Sequence, residues 1–410
     1  MKFMKKIVTL LLLGCLVSSS LFAGGYQVRL QGQRQTGMGL IGTSLYGDAI
    51  NLFYNPAGLS KLNGKFSFAA GFSPIFNEIA FRLENDPVTV YNDNPVGTPF
   101  SVYGSMMITK RLGFGIGAYT PYGSTAIWGN DWVGATLIQD LSLQAVFIQP
   151  TISYNFADVV SIGAGLVIAS GEVELNKAIP YNGAEVKGQI TLNGKTTEYG
   201  YNVGLLITPN KKWAIGANYR SEIIMSVQDG DATFTIPGSL YSIIPANNKF
   251  DADLPLPANF DFGLSFKASE KLLLAAEINY VFWDVYDSLN FTFKKMPAIL
   301  NSSNPRLYSN TLLTRVGAEY TFNEVVKGRA GIYYDPTPTH EEYFSPETPS
   351  LSSFAFTLGI SLYPIENFAI DISYLQLETK QEFKTYKPSN FQGDYKSRTL
   401  IPGVGLTYTF

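Results

Sequence analysis

The chain has 410 residues, of which 46% are hydrophobic, 14% aromatic and only 15% charged, with a formal net charge of −3. Soluble domains carry about 25% charged residues, so water is not expected to face all of this surface. The near-neutral balance also lacks the basic stripe that nucleic-acid binding requires, and we expect no nucleic-acid partner.

The first element in chain order is a predicted signal peptide, residues 1–23. Three lysines precede an apolar stretch from Ile7 to Val17, and small residues follow up to Ala23. This order is typical of a secretory signal peptide, with cleavage near Ala23. A lipoprotein processing box at Leu12-Leu13-Gly14-Cys15 is the alternative, in which Cys15 would be acylated. With cleavage near Ala23, the mature chain contains no cysteine and has no thiol chemistry.

The next segment, residues 24–62, carries no strand-like alternation. It is rich in glycine and contains Asn55, Pro56 and Ala57 near its end. Gly37-Met38-Gly39-Leu40-Ile41-Gly42 spells the dinucleotide fingerprint, but the βαβ unit that this motif requires is missing. We therefore interpret these glycines as flexible backbone in a packed segment and expect no cofactor.

From Lys65 onward, apolar residues alternate with small or polar ones in segment after segment. In the last segment Val404, Leu406, Tyr408 and Phe410 share one face, as alternate residues of a β-strand do. No apolar run beyond the N-terminus reaches the roughly 18 residues that a membrane helix needs. Strands are therefore the predicted membrane-spanning elements.

Short and long polar connections follow the alternating segments in turn. The short ones fall at residues 110–111, 157–158, 209–211, 268–270, 323–324 and 365–367. The long ones fall near residues 83–97, 120–140, 177–195, 231–255, 294–309, 336–350 and 380–394. Such asymmetry is typical of outer-membrane barrels, which have an even number of strands, short periplasmic turns and long external loops.

These observations predict an all-β fold, a 14-stranded antiparallel transmembrane β-barrel formed by residues 63–410. A barrel of this size encloses more space than its own side chains fill. We expect residues 24–62 to plug that space as an N-terminal hatch of short helices and turns. The alternation also places a set of polar side chains in the lumen, paired with one another or with the hatch: Asn218, Arg220, Glu277, Asn279, Arg315, Glu319, Lys327, Arg329 and Asp371.

The segment around Asn55-Pro56-Ala57 resembles the hatch signature of the FadL-type outer-membrane transporters, which carry long-chain fatty acids and, in some members, aromatic hydrocarbons. Tyr219-Arg220-Ser221-Glu222 and Tyr333 to Pro338 support the resemblance, which covers essentially the whole mature chain. It implies a hatch inside a 14-stranded barrel, an external low-affinity groove, an internal higher-affinity pocket and lateral release through a gap at a kinked third strand.

Several residues become candidates for binding and gating. Arg220, Arg315 and Arg329 are the candidates for meeting a fatty-acid carboxylate, because a guanidinium binds that group through two hydrogen bonds. Arg220 is the first choice, since its neighbours match the family. Tyr26 and Phe53 are the candidate gating residues of the hatch, because a diffusive transporter without a nucleotide site requires ligand binding to shift the plug.

The predicted third strand, from Leu112 to about Trp128, contains the candidate lateral exit at Gly115, Gly117 and Pro121. Proline removes a hydrogen bond from the sheet and glycine packs poorly, which favours a bend or an opening in the wall. The alternative is that the glycines merely fit the plug against the wall.

The external loops offer Tyr241, Ile243 and Ile244 as a candidate capture patch for apolar molecules. A self-packed loop cluster is the alternative. The chain departs from some family members at Glu172 and Glu174, where those members carry basic residues. Because acidic residues at these positions do not favour a carboxylate, a neutral hydrophobic cargo is an alternative.

The predicted function is transport of long-chain fatty acids or similar hydrophobic molecules across the outer membrane of a Gram-negative bacterium, by diffusion and lateral exit. Uptake of aromatic hydrocarbons and a general porin are the alternatives. An enzyme is not expected, because the one histidine, His340, lies in a polar loop and a serine hydrolase needs a histidine beside its nucleophile. We expect no metal site, a hydrophobic small-molecule ligand, contact with outer-membrane lipid, and a monomer.

Overall fold

The structure is a computed structural model that describes residues 25–180 and 188–410. The predicted signal peptide, including Cys15, lies outside the described residues. No helix within the described ranges is long and apolar enough to cross a membrane.

Fourteen antiparallel strands form the wall of a closed barrel in the described part of the chain. Four of them contain one short irregular break. Their bounds are β1, Phe66–Phe72 and Phe76–Leu83; β2, Phe100–Met107; β3, Leu112–Ile127; β4, Asp140–Phe156; β5, Val160–Ile179; β6, Gly188–Ile207; β7, Trp213–Arg220 and Ile223–Thr235; β8, Asn247–Leu256 and Asn259–Lys267; β9, Leu272–Val281 and Ser288–Phe293; β10, Thr311–Thr321; β11, Val326–Asp335; β12, Ser353–Ile365; β13, Phe368–Thr379; and β14, Phe391–Thr409. Strand β1 pairs with β14, with Ser67 opposite Thr409, and this pairing closes the barrel.

The remaining elements lie in the hatch and in the outer loops. The hatch contains α1 (Gln33–Gly37), α2 (Asn51–Tyr54) and a 3-10 helix (Pro56–Lys61). The loops contain three short strands (Thr89–Tyr91, Ser302–Pro305 and Glu382–Tyr386), helix α3 (Pro297–Leu300) and three 3-10 turns (Gly238–Leu240, Trp283–Val285 and Lys387–Ser389).

The predicted alternation of the strands is confirmed by the exposure of their side chains. In β14, Val404, Leu406, Tyr408 and Phe410 are each 40–48% exposed on the outer face, where lipid surrounds the barrel. The residues between them face the lumen. Aromatic side chains lie on the outer face near the short turns, as the pair Tyr154 and Phe156 at 4.7 Å illustrates, and contribute to an interfacial girdle.

Several of the predicted long loops are partly strand. For example, residues 120–127, 188–195 and 247–255 belong to β3, β6 and β8. These segments have polar residues at successive positions in places, as in Asn247-Asn248-Lys249, so the apolar alternation that marks a lipid-facing strand is weak there. The 20-residue strands β5 and β6 are longer than the ~9–11 residues that cross a bilayer. These strands therefore extend beyond the membrane on the loop side.

The hatch lies inside the barrel and contacts opposite walls. Helix α1 packs against β11–β14, whereas the 3-10 helix packs against β2–β6. Ion pairs fix the hatch to the lumenal wall: Arg29 Nη1 lies 2.7 Å from Asp261 Oδ1, and Arg34 Nε lies 2.9 Å from Glu319 Oε2. The Glu277 carboxylate also accepts hydrogen bonds from two backbone amides of the hatch. The hatch is thus fixed to the wall at Arg29, Arg34 and residues 42–43 by charged contacts, which are costly to break in a buried site.

Candidate functional site

The Asn55-Pro56-Ala57 segment turns the hatch toward the wall. The Asn55 side chain accepts a hydrogen bond from the Ala57 amide at 3.1 Å, which caps the 3-10 helix. Its amide nitrogen donates to the carbonyls of Thr43 and Leu205. Ser153 Oγ donates to the Ala57 carbonyl at 2.9 Å. The motif therefore joins two parts of the hatch to β4 and β6.

Glycines on the wall leave the space that this motif occupies. A Cβ atom on Gly204 would overlap the Asn55 side chain, and one on Gly163 would overlap the Pro56 backbone. We expect Gly163→Ala to destabilise the docked hatch by about 1–3 kcal/mol, since the neighbour is backbone that cannot turn away. Gly238→Ala is the matched control, because nothing lies within 4 Å of that position. Limited proteolysis of the hatch in detergent would measure the difference, and equal cleavage of both variants would contradict the prediction.

Beyond Tyr119, on the loop side of the barrel, β3 no longer pairs with β2. The N-terminal end of the hatch takes the place of β2 there. The β2–β3 register ends at Ser101 opposite Tyr119, and a bulge follows between Tyr119 and Tyr122. Beyond it, Val28 N donates to the Pro121 carbonyl at 2.7 Å and Gly123 N donates to the Tyr26 carbonyl at 3.1 Å. The wall is thus interrupted between β2 and β3, and the hatch pairs with the free edge of β3.

A cavity of 430 Å³ lies beside this gap. Its lining includes the hatch residues 25–30, the loop residues 94–99 before β2, and residues 122–125 of β3. This volume is within the ~300–1,000 Å³ range of small-molecule pockets. The cavity we call the gap chamber therefore has the size and the position of a compartment beside an opening in the wall.

A second, smaller cavity of 80 Å³ lies further toward the loops, and we call it the apolar cavity. Its lining is mostly aliphatic and aromatic, with Leu141, Leu175 and Phe291 among its residues. Four residues line both cavities: Tyr26 of the hatch, and Tyr122, Leu143 and Gln144 of the wall. Tyr26 and its neighbour Tyr122 therefore lie between the apolar cavity and the gap chamber.

Tyr26, one of the two predicted gating residues, is held in an aromatic cluster. Its ring lies 5.0 Å from Trp283 and 6.0 Å from Tyr286, and its hydroxyl donates to the Pro255 carbonyl. Phe53, the other, packs 5.2 Å from Tyr119 and lines neither cavity. The structure thus places Tyr26, and not Phe53, at the boundary between the cavities.

The three candidate arginines differ in their partners. Arg315 pairs with Glu277 at 3.1 Å, and Arg329 pairs with Glu319 and Asp371. Arg220 makes no ion pair with a described residue, although it is only 5% exposed.

Neutral groups surround the Arg220 guanidinium. It donates to the Tyr119 hydroxyl, the Gln149 side chain and the Phe53 carbonyl at 3.0–3.2 Å, and it lies 4.8 Å from the Phe53 ring. A buried cation without a carboxylate partner is costly, and such a group attracts an anionic ligand.

A family model described as outer membrane protein transport protein (OMPP1/FadL/TodX) matches residues 14–410. The chain belongs to this family.

An outer membrane protein of Neisseria meningitidis serogroup B is 23% identical over 98% of both chains. A Pseudomonas aeruginosa FadL homologue has the same fold, with a TM-score of 0.84 at 18% identity over 94% of this chain and 100% of that one. The Pseudomonas putida toluene transporter TodX gives a TM-score of 0.75 at 17% identity, over 96% and 100% of the two chains. The family and the barrel place this protein in the bacterial outer membrane.

Within this FadL/TodX-family barrel, the three exit candidates separate into two groups. Pro121 lies at the bulge beside the gap chamber. Gly115 and Gly117 lie where β2 and β3 are fully paired. A Cβ at Gly115 would press on Leu59 of the hatch, and one at Gly117 would overlap Tyr103. These contacts favour the alternative interpretation of the two glycines, as close-packing positions.

A second interruption separates β6 and β7. Their register runs to Asn202 opposite Arg220 and resumes at Asn193 opposite Asp231. Side chains of β7 fill the space between, since a Cβ on Gly194 would overlap Val227. This interruption is therefore closed by packed apolar side chains, unlike the one beside the gap chamber.

The candidate capture residues lie in the loop between β7 and β8. Tyr241 and Ile243 are 42% and 52% exposed. Ile244 instead packs against a buried cluster of apolar side chains that we call the outer apolar core, which includes Phe234, Phe250 and Phe344. The Tyr241 hydroxyl donates to the Phe234 carbonyl at 3.2 Å. The loop thus offers two exposed apolar side chains and is partly self-packed.

His340 lies in an exposed stretch between β11 and β12. Its Nδ1 accepts a hydrogen bond from the Glu342 amide at 3.2 Å, and its ring lies 5.5 Å from Tyr343. Within residues 25–180 and 188–410, no cluster of three or more potential metal ligands occurs.

Sequence reasoning did not identify the external charge cluster of Lys177, Arg306 and Glu347. Glu347 Oε1 lies 2.7 Å from Lys177 Nζ, and the Arg306 guanidinium contacts the other carboxylate oxygen. Burial raises the pKa of the Glu347 carboxyl, but Arg306 and Lys177 lower it more, so the pKa lies below its ordinary value. Glu347 is therefore charged at neutral pH. Its partners are 170 and 41 residues away in sequence, and no local pattern links them.

Proposed function

We propose that this outer-membrane transport protein carries long-chain fatty acids or similar amphiphilic molecules, by diffusion and without a catalytic step. The family assignment supports transport of hydrophobic compounds and leaves the choice between fatty acids and aromatic hydrocarbons open. The single observation that carries the proposal is the position of Tyr26 and Tyr122 between the apolar cavity and the gap chamber. A shift of Tyr26 would join an apolar binding space to an opening in the wall.

The proposed route begins at the external loops, where Tyr241 and Ile243 present apolar surface, and continues into the apolar cavity. Movement of the Tyr26–Val28 segment away from β3 opens the gap chamber, and the cargo leaves past Pro121 into the outer membrane. The rest of the hatch stays in place, because Arg29 and Arg34 are bound to carboxylates of the wall. The barrel is proposed to act as a monomer.

The hydrocarbon tail is expected to dominate the affinity. At about 0.8 kcal/mol per buried methylene, a long chain contributes more than the roughly 1.5–3 kcal/mol of one hydrogen bond to a charged group. Arg220 remains the candidate for the carboxylate within the lumen, since Arg315 and Arg329 already have acidic partners. A neutral hydrocarbon would gain nothing from that cation.

Uptake of aromatic hydrocarbons is the second candidate function. The cluster of Tyr26, Tyr122, Trp283 and Tyr286 supports it, because flat rings stack favourably on such side chains. The Pseudomonas putida toluene transporter has the same fold. Toluene is the cargo of that protein, and the shared fold does not identify the cargo of this chain.

Uptake by cells would test the proposal. A Gram-negative host that lacks its own fatty-acid transporter would express the full chain and receive labelled oleate or labelled toluene. We expect a severalfold increase in oleate uptake over cells with an empty vector. Uptake of toluene alone would favour the aromatic candidate, and steady conductance of small polar solutes in planar bilayers would favour a general porin.

A further inference from the structure

The loop between β11 and β12, residues 336–352, folds over the mouth of the barrel, and we call it the lid loop. Its Phe344 and Leu351 side chains are buried in the outer apolar core. Trp128 Nε1, from the loop after β3, donates to the Pro346 carbonyl at 3.0 Å. The lid loop is thus a packed cover and not a free surface segment.

The lid loop also contacts the start of the described hatch. Gly25 N donates to Ser350 Oγ at 3.0 Å. Gly25 directly precedes Tyr26, which lies between the apolar cavity and the gap chamber. Movement of the lid loop would therefore remove a contact that holds the gating end of the hatch.

Glu347 of the lid loop lines the apolar cavity. Glu347 and Thr348 are part of its lining, together with Leu141, Leu175 and Phe291. Glu347 is only 4% exposed. A carboxylate beside an apolar space, bound to Lys177 and Arg306, has the arrangement expected of the head of a bound fatty acid.

Among the described residues, the charge cluster holds two cations, Lys177 and Arg306, and one anion, Glu347. The other titratable side chains close to Arg306 in the described part of the chain are the tyrosines Tyr26, Tyr286, Tyr308 and Tyr386, which are neutral at physiological pH. Arg306 is 1% exposed, and its Nε has no hydrogen-bond partner among the described residues. The cluster can therefore bind the carboxylate of a cargo molecule in place of Glu347, or together with Glu347 while the two carboxylates exchange.

We propose that Glu347 is a built-in substitute for the cargo carboxylate, and that a long-chain acid displaces it from Lys177 and Arg306 while its tail enters the apolar cavity. This inference rests on the proposed function and adds a headgroup site to it. The 80 Å³ cavity is smaller than the ~300 Å³ of the smallest usual ligand pockets. Displacement of Glu347 with the lid loop would widen it and release Gly25 from Ser350.

The displacement mechanism favours acids over neutral molecules of the same length. When an acid enters, one carboxylate replaces another and both cations keep an anionic partner. A neutral molecule that displaced Glu347 would leave two buried cations without a partner, which is strongly unfavourable. The cluster is thus a filter for carboxylates at the outer end, whereas Arg220 lies deeper, beside Phe53 of the hatch.

Binding to the purified full-length protein in detergent would test this inference, with oleate and oleyl alcohol as probes that share one hydrocarbon tail. Glu347→Gln removes the competing charge and should strengthen oleate binding by about tenfold, since a charged hydrogen bond is worth at least that factor. The same variant should strengthen binding of the alcohol as well, because the alcohol then no longer has to break an ion pair. Lys177→Met should leave oleate binding nearly unchanged, since Glu347 and the acid both lose the same cation, and should raise the affinity for the alcohol, so that the ratio of acid to alcohol affinity falls about tenfold.

Glu342→Gln is the matched control. Glu342 lies in the same loop and pairs with Lys387, but the two side chains are 52% and 61% exposed. We expect this variant to bind both probes as the wild type does.

Two results would overturn the headgroup site. One is weaker oleate binding by Glu347→Gln; the other is an unchanged ratio of acid to alcohol affinity in Lys177→Met. Either would leave the proposed function intact as long as the wild type binds oleate and cells take it up. Failure of the wild type to bind or take up oleate would instead contradict the proposed function itself.

Discussion

A disulfide between positions 27 and 122, made by Gln27→Cys and Tyr122→Cys, should abolish uptake under oxidising conditions and restore it on reduction. Gln27 and Tyr122 are opposite each other in an antiparallel bridge flanked by two backbone hydrogen bonds. Directly opposed residues of this kind have Cα atoms about 4.5–5.5 Å apart, within the range of disulfides. The bond would hold the hatch against the edge of β3 and keep the gap chamber closed.

The control disulfide lies within the wall. Ser67→Cys with Thr409→Cys would join β1 to β14, where the two hydroxyls are 2.9 Å apart. It leaves the Tyr26–Val28 segment free, so we expect uptake to persist in the oxidised state. The comparison uses labelled fatty acid in whole cells, with each single-cysteine variant alongside. Uptake through the oxidised hatch-to-β3 variant would mean that cargo leaves by another route.

Replacement of Arg220 by methionine should reduce uptake of a long-chain fatty acid about tenfold and leave uptake of a neutral hydrocarbon unchanged. The reason is the loss of a buried cation that has no acidic partner within the described residues, because a hydrogen bond to a charged group is worth roughly 1.5–3 kcal/mol. The variant should fold, since relief of the desolvation cost of a lone buried charge offsets the loss of its hydrogen bonds to Tyr119, Gln149 and Phe53.

Arg329→Met is the contrasting variant. Arg329 bridges Glu319 and Asp371, and its removal leaves Asp371 buried without that cation, at a cost of about 3–5 kcal/mol. Denaturant unfolding monitored by the shift in gel mobility would show a loss of stability in Arg329→Met and little change in Arg220→Met. If Arg220→Met lowers uptake of the acid and of the hydrocarbon equally, the arginine serves the packing of Phe53 and not the carboxylate.

The sequence predicts the lipid-facing part of the barrel well, because each such strand must present apolar residues at every second position. The inward orientation of Glu277, Arg315, Glu319, Arg329 and Asp371 follows from this alternation, and the structure confirms that they pair with one another or with the hatch. The outer ends of the strands were less predictable. Residues such as Thr196 to Glu198 are polar at three successive positions and carry no apolar signal.

The candidate site is less accessible to sequence reasoning. Tyr26 could be singled out as a hatch aromatic, but its place between two cavities depends on strands that are distant in the chain. Pro121 signals an irregular strand, yet nothing local indicates that the hatch replaces β2 beside it. The pairing of Glu347 with Lys177 joins a loop to a distant strand, and neither residue stands out in a chain with 30 basic and 33 acidic residues.

The hatch is in contact with early strands through its 3-10 helix and with the last four strands through α1. Where it meets the wall, glycines such as Gly163 leave no spare room. Such a core cannot be threaded into a finished cylinder or withdrawn from it whole. The hatch must therefore be enclosed before β1 and β14 pair and close the barrel. Once these two strands have paired, a misfolded hatch would be trapped inside.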